Sequence, residues 1–331
     1  MPTNKGLVLA SRPEGMPSPA NFRLVESALA EPGPGQVLVR HLYLSVDPYM
    51  RGRMNEGASY AAPQALDAVM QGGTVGEVVA SANERFKPGD LVVGHGGWQL
   101  YALTDGGDLR KVERRRFPLS VYLGAVGMPG VTAWYGVNRI LKPKAGDTVV
   151  VSAATGAVGG VAGQLARRAG ARTVGIAGGP EKCAYAVAEL GYDACIDHRS
   201  PTFSAEFRAA TPAGIDGLFE NVGGQPFMEA SARLADFARV AICGLIASYN
   251  GAPTQLPDMR VVLIRRATIQ GFIVSDDLTY WPQALGELAT LADSGGLKYR
   301  ETVSDGLDSA PQAFIGLLTG RNFGKQIVKL A

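Results

Sequence analysis

Short apolar runs alternate with helical patterns along the second half of the chain. Five runs have the length and composition of buried strands: Val149–Val151, Arg172–Ala177, Ala194–Asp197, Ile215–Phe219 and Arg239–Leu245. Three segments between them have the apolar spacing of helices: Val161–Arg168, Glu181–Leu190 and Gln225–Phe237. Strands and helices that alternate at these lengths predict a doubly wound parallel sheet, an α/β fold. Its ligand is expected at the carboxyl ends of the strands.

The first part of the chain has a different pattern, with short strand-like segments divided by turn residues. These segments are Gln36–Leu44, Gly73–Ala80 and Asp90–Trp98, and strand patterning returns at Lys325–Leu330. Such spacing predicts a compact antiparallel β-barrel. We therefore predict two domains. Residues 1–125 with 296–331 form the barrel domain, and residues 126–295 form the domain with the parallel sheet.

A turn of small residues, Ala153–Gly159, joins the first apolar run to the next helix. Small residues let the backbone approach a pyrophosphate, and the N–H groups of the first helical turn point toward it. Ala153 stands where the usual dinucleotide fingerprint has its first glycine, so the motif alone is weak. A turn that only packs the helix on its strand is the other interpretation. The surrounding strand–helix series favours a dinucleotide.

The residues after the second strand favour NADP over NAD. NAD-binding domains carry an acidic residue about 20 positions after the glycine turn, where it binds the ribose hydroxyls. Residues 176–179 are Ile-Ala-Gly-Gly and include no carboxylate, and Lys182 and Arg199 follow. Without the acid a 2′-phosphate is not repelled, and nearby cations attract it. The other interpretation of Lys182 is a solvated lysine at a helix start.

Composition and charge disfavour several classes of protein. The 331 residues are enough for two domains with cores, and a net charge of +2 gives no basic surface for nucleic acid. Cys183, Cys195 and Cys243 have no C-x-x-C spacing, which disfavours a structural zinc site and a disulfide framework. We find neither a signal-peptide core in Met1–Gly15 nor an apolar run of membrane length. We expect a cytoplasmic protein that binds neither nucleic acid nor membrane.

Six further motifs extend over nearly the whole chain. They are residues 44–54 (LSVDPYMRGRM), 177–182 (AGGPEK), 220–224 (ENVGG), 243–250 (CGLIASYN), 271–273 (GFI) and 322–325 (NFGK). With the glycine turn, they resemble the medium-chain dehydrogenase/reductase superfamily. Within it they resemble the zinc-independent branch of leukotriene B4 dehydrogenases, prostaglandin reductases and double-bond reductases, and most of all the bacterial NADPH-dependent curcumin reductases. The resemblance implies a GroES-like β-barrel catalytic domain, a Rossmann domain, and a homodimer.

The same resemblance implies an activity, NADPH-dependent reduction of the carbon–carbon double bond of α,β-unsaturated ketones and aldehydes. It also assigns residues. The pyrophosphate would be held by Thr155, Gly156, Ala157, Val158 and Gly159, and the adenosine 2′-phosphate by Lys182. The nicotinamide half would be lined by Asn221, Cys243, Gly244 and the rest of the segment to Tyr249, Phe272, Ile273 and Asn322. Tyr49 and Tyr60 would border the substrate. His198 lies where many relatives have an adenosine-pocket tyrosine, and it could stack or donate there.

Tyr249 is the candidate catalytic residue. Hydride transfer to the β-carbon of an enone places negative charge on the carbonyl oxygen, so catalysis requires a donor aimed at that oxygen. Tyr249 follows a predicted buried strand and so lies at the carboxyl edge of the sheet. The alternative is that Tyr249 only packs over the nicotinamide.

Catalytic zinc is disfavoured because all three cysteines lie in the nucleotide-binding part and the barrel part has only two histidines, His41 and His95. Two other functions stay open. One is an NADPH-dependent quinone reductase, which uses the same cofactor without zinc. The other is a non-catalytic NADPH-binding protein, since a fold does not establish an activity.

Overall fold

The computed structural model describes residues 3–57 and 59–331. Its strands are β1 (Thr3–Leu9), β2 (Phe22–Ala28), β3 (Val37–Ser45), β4 (Thr74–Ser81), β5 (Leu91–Gly94), β6 (Tyr101–Thr104), β7 (Arg110–Lys111), β8 (Thr148–Ser152), β9 (Arg172–Ala177), β10 (Ala194–Asp197), β11 (Ile215–Glu220), β12 (Leu234–Ile242), β13 (Thr268–Gly271), β14 (Glu301–Asp305) and β15 (Lys325–Lys329). Its α-helices are α1 (Tyr49–Arg53), α2 (Met128–Tyr135), α3 (Gly159–Arg168), α4 (Pro180–Ala188), α5 (Phe203–Ala210), α6 (Gly224–Ser231), α7 (Met259–Arg265), α8 (Trp281–Asp293) and α9 (Ala310–Leu318).

The chain separates into two compact units. Unit 1 comprises the residues up to Leu123 together with Glu301–Ala331, and unit 2 is Gly124–Arg300. The boundaries predicted from the sequence are 125/126 and 295/296. No helix among the described residues has both the length and the apolar character needed to cross a membrane.

Unit 1 is built around a sheet of seven strands. They follow the order β14-β15-β3-β4-β5-β7, with β6 also paired to β3, while β1 and β2 form a separate antiparallel pair. The predicted strand Asp90–Trp98 is shorter in the structure, because β5 ends at Gly94 and the chain turns back through Gly97, whose φ is +77°. Phe22 stacks on Trp98 at 5.5 Å between ring centroids, and Phe314 of α9 meets Trp98 edge-on at 5.8 Å. These rings form the centre of the unit's core.

Unit 2 contains the predicted parallel sheet. Its order is β10-β9-β8-β11-β12-β13, and every pairing in it is parallel. The central strand β8 is buried along its whole length, as expected of a strand with helices on both faces. The predicted doubly wound fold is confirmed, and it places the ends of β8, β9, β11 and β12 along one edge.

One predicted helix is wrong in its second half. The predicted helix extends from Gln225 to Phe237, whereas α6 ends at Ser231 and β12 begins at Leu234. The pairing of β11 with β12 shifts register there, and Phe237 has a φ of +62°. The irregularity disrupts the strict alternation of a strand, so the local spacing of apolar residues imitates a helix.

Candidate active site

The turn between β8 and α3 presents backbone N–H groups at the end of a buried strand. β8 ends at Ser152 and α3 begins at Gly159, and the Gly156 N–H donates to the Ala153 carbonyl over 2.8 Å. The N–H groups of Thr155, Ala157 and Val158 in this turn have no acceptor within residues 3–57 and 59–331. Free N–H groups at the N-terminus of a helix attract anions. The turn therefore fits a phosphate group.

The turn stays tight although an alanine replaces the first glycine of the fingerprint. Ala153 has a φ of +49°, in the left-handed region that costs an L-residue energy. Its carbonyl oxygen would lie only 2.2 Å from a Cβ at Gly159, so position 159 accommodates no side chain. Ala153 thus takes the backbone conformation that the usual glycine provides.

Tyr192 fixes the start of α3, a role that the sequence analysis missed. Its buried hydroxyl donates to the Gly159 carbonyl over 2.7 Å. A Cβ at Gly163, one helical turn later, would lie 2.1 Å from the Tyr192 ring carbon Cζ. The glycines of α3 therefore serve both the turn and the packing of the helix on a buried ring.

Three basic side chains lie together beyond β9 and β10. A Cβ at Gly178 would lie 3.1 Å from His198 Nε2 and 3.2 Å from Arg199 Nε, and Lys182 lies in the first turn of α4. Burial first, and then the positive charge of Arg199, lower the pKa of both Lys182 and His198. Cations that repel one another are stabilised by a bound anion. The cluster therefore fits a phosphate monoester.

The carboxylate at the end of β10 is directed to the backbone. Asp197 Oδ1 accepts hydrogen bonds from the N–H groups of Gly179 at 2.8 Å and Arg199 at 2.9 Å. Burial opposes ionisation, but these hydrogen bonds and the neighbouring cations lower the pKa of Asp197 overall. Asp197 joins the two loops that carry the basic cluster.

A buried carboxyl group organises the end of β11. Glu220 Oε1 accepts hydrogen bonds from Ser152 Oγ at 2.9 Å and from the N–H groups of Val222 and Gly223 at 2.5 and 2.7 Å. Its Oε2 is buried and has no hydrogen-bond partner among the described residues. Burial raises the pKa of Glu220 in spite of the hydrogen bonds it accepts. Sequence reasoning assigned no role to Glu220 or Ser152, because their contact depends on the pairing of β8 with β11.

The same network brings two predicted cofactor residues together. Asn221 Nδ2 donates to the Ser152 carbonyl over 2.7 Å, and Cys243 Sγ donates to Asn221 Oδ1 over 2.8 Å. Burial, followed by the nearby Glu220 carboxylate, raises the pKa of the Cys243 thiol. Asn221 and Cys243 therefore lie side by side at the ends of β11 and β12, with the thiol protonated.

Tyr249 lies against the backbone of its own loop. It follows a short 3-10 turn, Ile246–Ser248, and its hydroxyl oxygen accepts a long hydrogen bond of 3.4 Å from the Leu245 N–H. A Cβ at Gly244 would lie 3.3 Å from the same oxygen. The phenol is thus at the carboxyl end of β12, as the sequence predicts for a residue of this loop.

Phe272 and Ile273 occupy the corresponding position after β13. The Phe272 ring lies 5.3 Å from the Tyr135 ring and meets Phe219 edge-on at 6.3 Å. The Phe272 N–H donates to the Ile242 carbonyl over 3.3 Å, which ties it to the end of β12. In unit 2, the predicted residues after β8, β11, β12 and β13 therefore follow one another along one edge of the sheet.

In unit 1, Tyr49 and Tyr60 share one basic neighbour. The guanidinium carbon of Arg53 lies 5.1 Å from the Tyr49 ring centroid and 6.0 Å from that of Tyr60. Burial raises the pKa of Tyr49, which keeps its phenol neutral. The two tyrosines are among the predicted substrate residues, whereas Arg53 is not.

A buried ion pair joins the motifs at 44–54 and 322–325. Lys325 Nζ lies 3.1 Å from Asp47 Oδ1, with 5% and 6% of the two side chains exposed, and it donates to the Val46 carbonyl over 2.7 Å. Asn322 Nδ2 donates to the Gly324 carbonyl over 2.7 Å, in the loop that leads to Lys325. The pair fixes the chain just before α1, which carries Tyr49.

The comparison with known proteins decides the family. A family model described as "N-terminal domain of oxidoreductase" matches residues 5–112, and one described as "Zinc-binding dehydrogenase" matches residues 157–290. The "NADPH-dependent curcumin reductase" of Escherichia coli (strain K12) is 46% identical over 335 residues, covering 99% of this chain and 97% of that protein. The chain belongs to the medium-chain dehydrogenase/reductase family. Within residues 3–57 and 59–331, this family member has no group of three or more His, Cys, Asp or Glu side chains that could hold a metal ion.

Other members of the medium-chain dehydrogenase/reductase family extend the likeness over the whole chain. The "2-alkenal reductase (NADP(+)-dependent)" of Nicotiana tabacum is 37% identical over 99% of this chain and 98% of that protein. The crystal structure of CurA from Vibrio vulnificus in complex with NADPH is 44% identical, covers 99% of both chains and has a TM-score of 0.94. The family membership and the two-part fold predicted from the motifs are confirmed.

Proposed function

We propose that this medium-chain dehydrogenase/reductase uses NADPH to reduce the carbon–carbon double bond of α,β-unsaturated ketones and aldehydes. The observation that carries the proposal is a pair of anion-binding features at one edge of the sheet in unit 2. One is the turn with free N–H groups before α3, and the other is the basic cluster of Lys182, His198 and Arg199. A dinucleotide that carries a 2′-phosphate in addition to its pyrophosphate matches both anion-binding features. Relatives over the full length are named as NADPH-dependent curcumin reductase and NADP-dependent 2-alkenal reductase.

The cofactor roles follow the order of the loops along that edge. The turn Thr155–Gly159 would hold the pyrophosphate through its N–H groups, because the small residues leave the backbone accessible. Lys182 and His198 would hold the 2′-phosphate. The nicotinamide half would lie against the residues after the next strands: Asn221, Cys243, Gly244, Tyr249, Phe272 and Ile273. In unit 1 we assign Asn322 to the same half and Tyr49 and Tyr60 to the substrate.

The bound NADPH supplies a hydride, and this chain's residues have to stabilise the charge that the transfer creates. Negative charge develops on the substrate's carbonyl oxygen as an enolate forms. We assign its stabilisation to the Tyr249 hydroxyl, which lies at the carboxyl end of β12 and accepts a long hydrogen bond of 3.4 Å from the Leu245 N–H. The buried network of Glu220, Ser152 and Asn221 keeps the neighbouring loop fixed, so little reorganisation accompanies the reaction.

The test is a turnover assay with NADPH and with NADH against a 2-alkenal, a diarylenone and a quinone. Loss of reduced-nicotinamide absorbance with NADPH, together with a saturated carbonyl product identified by mass spectrometry, supports the proposal. Oxidation with the quinone alone would assign the protein to the quinone reductases. Tight NADPH binding without any oxidation would indicate a non-catalytic binding protein.

We further propose that the protein acts as a cytoplasmic homodimer. Cys183, Cys195 and Cys243 are all free thiols in the structure, which suits a reducing compartment. β13 is an end strand of the parallel sheet, and no other described strand pairs with its outer edge. Two copies could pair these edges, because an open strand edge is a template for another strand.

A further inference from the structure

Arg53 holds a fixed position between two aromatic rings. It is the last residue of α1, and its guanidinium carbon lies 5.1 Å from the Tyr49 centroid and 6.0 Å from the Tyr60 centroid. Its Nη1 donates to Gln71 Oε1 over 2.5 Å. Cation–π contacts of this kind are attractive, so they hold the guanidinium in place before any ligand arrives.

Among residues 3–57 and 59–331, no acidic side chain forms an ion pair with Arg53. Its hydrogen-bond acceptor, Gln71, is a neutral amide, and its Nε is buried without a hydrogen-bond partner among the described residues. Two other arginines of unit 1 differ in this respect: Arg12 pairs with Glu56 at 2.9 Å and Arg23 with Asp67 at 2.6 Å. The nearest acid of this motif, Asp47, is already paired with Lys325.

A second arginine of α1, Arg51, has a structural role and serves as a comparison for Arg53. Arg51 is buried, and its guanidinium donates to the Gly15 carbonyl at 2.7 Å and to Asn55 Oδ1 at 2.6 Å. Those contacts tie α1 to neighbouring segments. Arg53 instead adjoins Tyr60, of which 57% is exposed, so its surroundings are open to a ligand.

We propose that Arg53, flanked by Tyr49 and Tyr60, binds a carboxylate carried by the substrate away from its reducible double bond. The inference rests on the proposed function and narrows it to enones that bear an acidic group. A guanidinium matches a carboxylate through paired N–H donors, and hydrogen bonds between two charged groups are stronger than neutral ones.

The experiment compares two substrates that differ only in charge, para-carboxybenzalacetone and its methyl ester. The readout is the ratio of kcat/KM for the acid to kcat/KM for the ester, measured with NADPH. Because a charged hydrogen bond is lost, Arg53→Gln is expected to lower this ratio by about 10-fold or more. Arg53→Lys keeps the charge without the paired donors and should fall between Arg53→Gln and the unaltered protein.

Arg85→Gln is the matched control. Arg85 lies in the same unit, and its guanidinium carbon is also 5.1 Å from an aromatic centroid, that of Phe86, but it is exposed and outside the site. The ratio should not change in this variant. An unchanged ratio in Arg53→Gln, or an equal fall in both variants, would overturn the inference.

A binding measurement separates this inference from the proposed function. Calorimetry with the saturated product of para-carboxybenzalacetone, in the presence of NADP⁺, needs no turnover. Weaker binding by Arg53→Gln, with the ester of the same product unaffected, supports the carboxylate site even if no enone is reduced. Equal binding of the acid by both proteins would contradict it, whereas absent turnover on every enone contradicts the proposed function alone.

Discussion

At the residue scale, a cluster of basic side chains forms a site that favours a bound anion. Its members are Lys182, His198 and Arg199. Lys182 lies in the first turn of α4, and His198 and Arg199 follow β10. Asp197 ties the segment before α4 to the loop after β10 through the N–H groups of Gly179 and Arg199. The repulsion between the cations, together with burial, lowers the pKa of Lys182 and His198. A phosphate would relieve that repulsion and favour the protonated forms.

Lys182→Ala is expected to weaken NADPH binding far more than NADH binding. The variant removes a charged donor to the 2′-phosphate, which NADH lacks, so the dissociation constant for NADPH should rise about 10-fold or more. Fluorescence titration with each nucleotide measures the two constants. Lys144→Ala, an exposed lysine of the same unit, is the control. A uniform loss for both nucleotides would point to a damaged fold instead.

Tyr249→Phe tests the proposed donor. Loss of one hydrogen bond to a developing oxyanion typically lowers kcat by about 100-fold, and the phenyl ring keeps its packing. Steady-state kinetics on a 2-alkenal should show this loss while NADPH affinity stays nearly constant. Tyr43→Phe, in β3 of unit 1, should leave kcat unchanged. Full activity of Tyr249→Phe would remove Tyr249 from the mechanism and leave it as a packing residue.

At the scale of elements, the close approach of α3 to Tyr192 governs the geometry of the turn before it. Tyr192 lies in the segment between α4 and β10, and it fills the space that the absent side chain of Gly163 leaves. Its hydroxyl holds the Gly159 carbonyl at the first residue of the helix. The position of the anion-binding N–H groups therefore depends on a contact some thirty residues away along the chain.

Two Gly→Ala substitutions in helices should have opposite effects. Gly163→Ala puts a methyl group into the Tyr192 ring and should lower the free energy of unfolding by about 1–3 kcal/mol. Gly286→Ala, in the middle of α8 with no neighbour within 4 Å of its Cβ, should raise it by about 0.5–1 kcal/mol. Urea denaturation measures both. A shift of the same sign in the two variants would refute the packing argument.

The sequence predicts those elements whose apolar pattern is undisturbed. Arg172–Ala177 and Ala194–Asp197 are strands at the predicted residues, because their runs end at turn residues. The helix Gln225–Phe237 was wrong, because the irregularity at Phe237 disturbs the alternation of β12. The contacts of Glu220 and Arg53 could not be predicted, since they join residues that only strand pairing or loop folding brings near.

At the scale of the whole molecule, one apolar surface of unit 2 is exposed in the part of the chain that the structure describes. Four large side chains just before β13 are well exposed: Leu256, Met259, Leu263 and Ile264. Exposed apolar patches beside an open strand edge are typical of subunit interfaces. This supports the proposed homodimer through β13.

If the proposed homodimer forms through this surface, Leu263→Glu should make the protein monomeric. Leu263 is 78% exposed, so the charge has little effect on the fold of one copy but opposes burial in an interface. Light scattering coupled to size exclusion should give a mass near 34.7 kDa for the variant and twice that for the unaltered protein. Leu24→Glu, on exposed β2 of unit 1, should remain dimeric. A dimer in both variants would place the interface elsewhere.

The late position of Lys325 in the sequence affects when unit 1 can fold during synthesis. Residues 43–45 at the end of β3 pair with β15, and the buried Asp47 carboxylate has Lys325 as its ion-pair partner. Both contacts therefore depend on residues translated after all of unit 2. Unit 2 leaves the ribosome as an uninterrupted stretch and can fold during synthesis, whereas the end of β3 still lacks its β15 neighbour and Asp47 its counter-charge. A chain whose synthesis stops before residue 325 therefore has a folded unit 2 and an incomplete unit 1. Chaperones or proteases are expected to act on that incomplete unit.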